Sequence, residues 1–183
     1  MRAKGKTNLL YSWTTLVLLF FLFAFVGWIW EGIFVGWNYG VFLNRGFLHG
    51  PWLPIYGVGS VLIITLLARF RKKPLLAFAG SVAICGIAEY TTSWALEAIF
   101  HQRWWDYSHC FMNLQGRVCL QSLIPFGIAG VFLVCFAAPF LSKQIKKIPL
   151  AVQYILCGLL GLIFLADVII SVWHPNAGMG ITY

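Results

Sequence analysis

Residues 143–173 read KQIKKIPLAVQYILCGLLGLIFLADVIISVW. Three lysines precede an apolar run, Leu150–Trp173, that a single acid, Asp167, interrupts. At about 1.5 Å per helical residue that run crosses a hydrocarbon core of roughly 30 Å. Runs of similar character occur upstream at Leu9–Val35, Pro51–Ala68, Leu75–Phe100 and Val118–Leu141. The pattern predicts an all-α integral membrane protein with five transmembrane helices in a single polytopic domain, residues 1–183. Composition agrees, with 61% hydrophobic and 10% charged residues. Soluble domains carry about 25% charged residues, so too few are present here to make a water-facing surface. The first run is too long, and too like the later ones, to read as a cleaved leader.

The net charge of +8 invites a nucleic-acid reading, and the placement of the charges argues against it. Ten of the thirteen basic residues form three clusters: Arg2, Lys4 and Lys6; Arg69, Arg71, Lys72 and Lys73; Lys143, Lys146 and Lys147. If successive helices alternate in direction, all three clusters fall on one side. Short loops rich in Lys and Arg stay in the cytoplasm, which predicts an N-in/C-out chain in a cell membrane. The clusters would have a secondary affinity for anionic lipid. The four His residues and Arg45, Arg103 and Arg117 then fall in or beside the outer connections.

The chain also repeats itself. Trp28-Ile29-Trp30-Glu31-Gly32-Ile33-Phe34 aligns with Trp94-Ala95-Leu96-Glu97-Ala98-Ile99-Phe100. Trp37-Asn38-Tyr39 corresponds to Trp105-Asp106-Tyr107, Asn44-Arg45 to Asn113 with Arg117, and Leu53-Pro54-Ile55-Tyr56-Gly57 to Ile124-Pro125-Phe126-Gly127. We read a parallel two-helix repeat, with residues 9–73 as the first copy and 75–147 as the second, and residues 150–173 as an extra helix outside it. Sites of transporter-like folds often lie at such repeat interfaces.

All five acidic residues lie within or beside the spans. Ionisable groups at membrane depth are costly and mark functional candidates. Glu89, Tyr90, Ser93 and Glu97 recur at helical spacing and make one polar face, which must look into the bundle. The candidate ligand-binding set is Glu31, Asn44, Arg45, Tyr56, Glu89, Tyr90, Ser93, Glu97, Trp105, Asp106, Tyr107, Asn113 and Arg117. A guanidinium can take a carboxylate or an anionic ligand bidentately. A purely structural alternative stands beside this one, in which Glu31 and Glu97 pair with Arg45 and Arg117 and lock the loops. The segment Gly50–Gly59 holds two Pro and three Gly. It is either an entry turn or a set of free amides offered to an anion. Cys110 and Cys119 could bridge, but no Cys framework is visible and two free thiols are the simpler reading. No phosphate-binding loop, HExxH or paired CxxC occurs, so no cofactor and no metal is expected.

The motifs from Gly27 to Arg117 resemble the bacterial family of type IV ABC-transporter permeases (CmpB-like). They are Gly27-Trp28-x-Trp30-Glu31, Asn44-Arg45-Gly46-Phe47-Leu48-x-Gly50-Pro51, Pro54-Ile55-Tyr56-Gly57, Glu89-Tyr90-x-x-Ser93-x-x-x-Glu97, Trp105-Asp106-Tyr107-Ser108 and Asn113-x-x-Gly116-Arg117. The resemblance implies membrane transport. With the polar residues gathered outside, we expect a permease-like protein binding a small polar or anionic ligand or a lipid headgroup in an outward-facing cavity. Its partners would be membrane lipid, that ligand, and a separate energising subunit or a second copy of the chain, with no nucleic acid. The alternative is a membrane-embedded enzyme acting on a lipid or lipid-linked substrate at the outer leaflet.

Overall fold

The computed structural model describes residues 10–40, 44 and 46–176. These form α1 (Trp13–Tyr39), α2 (Pro54–Leu67, extended by a 3-10 turn, Ala68–Phe70), α3 (Pro74–Phe100), α4 (Leu120–Phe132), a π-turn (Leu133–Ala137), α5 (Ala138–Ile145) and α6 (Leu150–Trp173). The π-turn joins α4 and α5 into one rod, Leu120–Ile145, that with α1, α3 and α6 makes four helices long and apolar enough to cross a membrane. The fifth apolar rod, Pro54–Phe70, is shorter. Its predicted run began at Pro51, but a residue before proline is driven out of the α region. Leu53 is accordingly extended at φ −112, ψ 102, and the helix starts on Pro54.

The other ends obey equally local rules. Ser12 caps α1 by accepting from the Thr15 amide at 3.3 Å. Gly40 closes that helix in the left-handed region at φ 72, four residues beyond the predicted Val35 end. Pro74 opens α3, and His101 ends it at φ 54 with its amide on the Glu97 carbonyl.

Helix pairs α1–α2 and α3–α4 are hairpins, with α2 also packing on α3 and α6 on α1. Glycine sets the closeness of both hairpins. A Cβ on Gly57 would stand 2.6 Å from the Phe20 ring and 2.8 Å from the Phe20 carbonyl oxygen of α1, and one on Gly127 would stand 2.5 Å from the Phe78 ring of α3. One apolar cluster joins Leu19, Ile63, Ile64 and Leu67 to Leu133, Val134 and Ala138. It lies at the end carrying the α2–α3 and α5–α6 turns, which we call the basic end. A second gathers Phe21, Ala24, Leu48 and Trp52 against Phe164 and Val168 of α6, at the opposite end, the loop end. Helix α6 is further tied at the basic end by Gln153, which accepts from Thr14 at 2.7 Å and donates to the Ile145 and Ile148 carbonyls.

Two glycines of α2 therefore predict opposite outcomes. Gly57→Ala forces a methyl into α1 and should lower stability by about 1–3 kcal/mol, read as a lower midpoint of thermal unfolding in detergent. Gly59 has open space around it, so Gly59→Ala should hold or raise the midpoint through helix propensity, worth up to ~1 kcal/mol.

A candidate polar site at the loop end

The connection between α3 and α4 is built from side chains that replace secondary structure. Asp106 Oδ1 accepts from the Ser108 amide at 2.9 Å and from its hydroxyl at 2.6 Å. Asn113 donates to the Ser108 and Cys110 carbonyls and accepts from the Gly116 amide at 3.0 Å. Gly116 is held at φ 68, and a Cβ there would lie 2.4 Å from Asp106 Oδ1 and from Ser108 Oγ. Trp105 Nε1 donates to the Arg117 carbonyl at 2.9 Å, and the Tyr107 amide to the Gly116 carbonyl at 2.7 Å. A loop so braced can hold Tyr107 and Arg117 against the helices.

Arg117 is 8% exposed. Its Nη2 meets Glu97 Oε2 at 2.5 Å, its Nη1 donates to Ser93 Oγ at 3.2 Å, and the group lies over the Tyr90 ring at 5.9 Å. Arg103 Nε takes the other Glu97 oxygen at 3.0 Å and its Nη1 stands 3.9 Å from Asp106. One carboxylate thus sits between two guanidiniums. Tyr90 OH donates to Gln115 Oε1 at 2.7 Å.

Two turns deeper along the same face of α3, Glu89 is 6% exposed. Tyr107 OH donates to its Oε1 at 3.0 Å, and Ser122 Oγ lies 3.2 Å from its Oε2. In the first hairpin, Tyr56 OH donates to Glu31 Oε1 at 2.6 Å. Burial, then Glu89, and then the Glu31 carboxyl all push the Tyr107 phenol well above its usual range. Tyr56 of α2 and Phe126 of α4 touch with ring centroids 5.9 Å apart.

The first loop is held differently. Trp28 Nε1 donates to Asn44 Oδ1 at 2.6 Å, and Asn44 Nδ2 to the His49 carbonyl at 2.7 Å. The amides of His49 and Gly50 and the indole of Trp52 all donate to Asp167 of α6, at 3.1, 2.9 and 2.6 Å. Ser171 adds a fourth bond to that carboxylate at 3.2 Å. Asn176 donates to the carbonyls of Asn44, Gly46 and Leu48. The amides around Gly50 do find an anion, and it is the chain's own.

The candidate set therefore divides. Tyr90, Ser93, Glu97, Trp105, Asp106, Asn113 and Arg117 form one network. Glu31 with Tyr56, and Glu89 with Tyr107, lie beside it, and Asn44 belongs to the first loop. Arg45 lies outside the described residues. Sequence reasoning missed Arg103, Ser122, Trp52, Ser171 and Asn176 as partners, and left Asp167 out of the set. An acid inside an apolar helix was signal enough for Asp167; its loop partners, more than a hundred residues away, left no trace in local spacing, and Ser171 alone stands at helical spacing from it. Cys110 and Cys119 are free thiols, and desolvation and the neighbouring Cys119 thiol raise that of Cys110. No three metal-ligating side chains converge among the described residues. Two clefts, of about 580 and 390 Å³, lie near the basic end and not at this site.

Residues 18–172 match the model of the family described as Putative ABC-transporter type IV, and the chain belongs to that family. No curated protein and no solved structure matches it.

Two outcomes follow from this geometry. Asp167→Ala strands three N–H donors of the first loop, each costing about 1–3 kcal/mol if left buried and unpaired. Thermal unfolding should fall sharply, and proteolysis should cut within 46–53 in the variant first. Asp106 titrates outside the helices. The Ser108 hydroxyl and amide, with Arg103 beyond, hold its carboxyl below the usual range. A depressed folded value means that the stabilisation is complete above the unfolded value of about 3.9 and is lost as pH falls through the folded one. Hydrogen exchange of 103–116 should therefore quicken on acidification, and Asp106→Asn should flatten that step.

Proposed function

We propose that the chain is the ligand-binding membrane component of a transport system, taking a small polar or anionic ligand or a lipid headgroup at its loop end. The observation that carries this reading is a pair of carboxyls, one on each hairpin, that accept from neutral hydroxyls, Glu31 from Tyr56 and Glu89 from Tyr107 and Ser122, with Tyr56 and Phe126 in ring contact between the hairpins. An ionisable group in a membrane helix is retained at a cost. A carboxyl that accepts from neutral hydroxyls, as Glu89 does from Tyr107 and Ser122, can exchange those partners for a ligand's donors. The guanidiniums are already engaged by Glu97, so an anionic group would bind by displacing that carboxylate.

The charge pattern supports placing this site on the non-cytoplasmic side. Arg69–Lys73 and Lys143–Lys147 mark the basic end as cytoplasmic by the positive-inside rule, with the N-terminus inside and the C-terminus outside. The repeat is supported by Gly57 and Gly127, matched residues that set the packing of each hairpin, and by the Tyr56–Phe126 contact. Family membership supports a transport role alongside other transporter subunits, and an energising subunit would act from the basic end.

Glu89→Gln tests the reading, because it keeps shape and removes charge. Against a panel of amino acids, polyamines, sugars and phospholipid headgroups, at least one compound should raise the unfolding midpoint of the wild type. The variant should lose that affinity by about tenfold or more, as expected for a hydrogen bond to a charged group, while its unliganded midpoint stays close to wild type. A variant that only unfolds earlier, with the compound shift intact, would make the cluster structural and end the proposal.

A further inference from the structure

Pro139 has no N–H, so the carbonyl four residues back, Cys135, loses its helical partner. The rod passes this point as the π-turn Leu133–Ala137. Arg71 supplies the missing donor, its Nε lying 3.2 Å from the Cys135 carbonyl, and the Cys135 thiol returns a contact to the Arg71 carbonyl at 3.3 Å. An exposed arginine of the α2–α3 turn is thereby fixed against the α4–α5 rod. Beside it opens a cleft of about 390 Å³ lined by Arg71, Lys143, Phe132, Cys135, Phe136 and Phe140 among others. The three phenylalanines recur every four residues, and so run as a stripe along the rod. They are 62, 65 and 60% exposed, and the rings of Phe132 and Phe136 stack at 6.1 Å.

We infer that this cleft binds an anionic phospholipid, with the phosphate between Arg71 and Lys143 and an acyl chain along Phe140, Phe136 and Phe132. The Nε bond to Cys135 leaves the terminal guanidinium nitrogens for phosphate oxygens. Arg69, Lys72, Lys73, Lys146 and Lys147 lie at the same end but outside the cleft lining, and no acidic residue stands at this end among the described residues, so charge favours an anionic headgroup over a zwitterionic one. Basic pockets between membrane helices recognise headgroups in this way. A soluble phosphate would meet the two cations and leave the aromatic stripe uncovered. The inference does not depend on the loop-end site.

Native mass spectrometry of the purified full chain, with palmitoyl-oleoyl phosphatidylglycerol and the matching phosphatidylcholine, tests it. The wild type should retain phosphatidylglycerol about tenfold or more over phosphatidylcholine. Arg71→Gln with Lys143→Gln should bring the two lipids level, at about fivefold per charge. Lys143→Gln alone should remove about half of that preference on a logarithmic scale without touching the Arg71–Cys135 contact. Phe136→Ala should weaken retention of both lipids. Lys146→Gln with Lys147→Gln, which lie outside the cleft lining, should keep the preference. Equal retention of the two lipids by the wild type would overturn the inference. So would an equal loss in the Lys146/Lys147 variant, or displacement of the lipid by glycerol 3-phosphate at matching concentration.

Discussion

A polar group inside a bilayer has no water to fall back on, so each one must be answered by another part of the chain. The described structure is organised by that constraint. Glu31 accepts from Tyr56, Glu89 is answered by Tyr107 and Ser122, Glu97 by Arg103 and Arg117, and Asp167 by two amides, an indole and a hydroxyl. Most of these bonds join elements far apart in sequence. The acids therefore act as fasteners that fix loops to helices, and their positions decide which helix faces turn inward. Apolar side chains cannot do this in a membrane, where lipid solvates them as well as protein does.

The two hairpins share packing and differ in chemistry. Gly57 and Gly127 each let a ring of the neighbouring helix approach closely. Glu97 meets two guanidiniums, whereas Glu89, two turns earlier on α3, accepts from a phenol and a hydroxyl. In the first hairpin Tyr56 donates to Glu31 and packs on Phe126, which cannot donate. The loops differ as well. The second is braced by its own Asp106 and Asn113, whereas the first is held from outside by Asp167 and Asn176. This gives α6 a definite role as the strut of the first loop, and accounts for the acid buried within it.

How much of this was legible in the sequence depended on the range of the interaction. The extent of α6 was readable to the residue, because a proline and a basic cluster precede it and an apolar run defines it. The polar face of α3 was readable because Glu89, Ser93 and Glu97 recur at one helical spacing. The pairing of Glu97 with Arg117 followed from there being few cations near the outer acids, but Arg103 as its second partner did not, since nothing local ranks one loop arginine over another. The segment around Gly50 was open to two readings, an entry turn or amides offered to an anion, and the anion lay 117 residues downstream at Asp167. The π-turn was announced by Pro139 alone, inside an apolar run where only the missing N–H distinguishes it.

The two ends of the bundle consequently stand in different electrostatic conditions. At the loop end, Arg103 and Arg117 are matched by Glu97 and Asp106, so that network is close to neutral. At the basic end, Arg69 to Lys73 and Lys143 to Lys147 face no acid among the described residues. Their charge can be balanced only from outside the chain, by anionic lipid or by an acidic face on another subunit. Fixing Arg71 to the Cys135 carbonyl gives one of these cations a defined position relative to α4–α5, the rod that also carries Ser122 to Glu89. A ligand on Arg71 and one near Glu89 would thus press on the same rod, at points joined by a helix with a π-turn between them. Such turns are frequent at functional sites, and this one lies where the two ends of the molecule are mechanically connected.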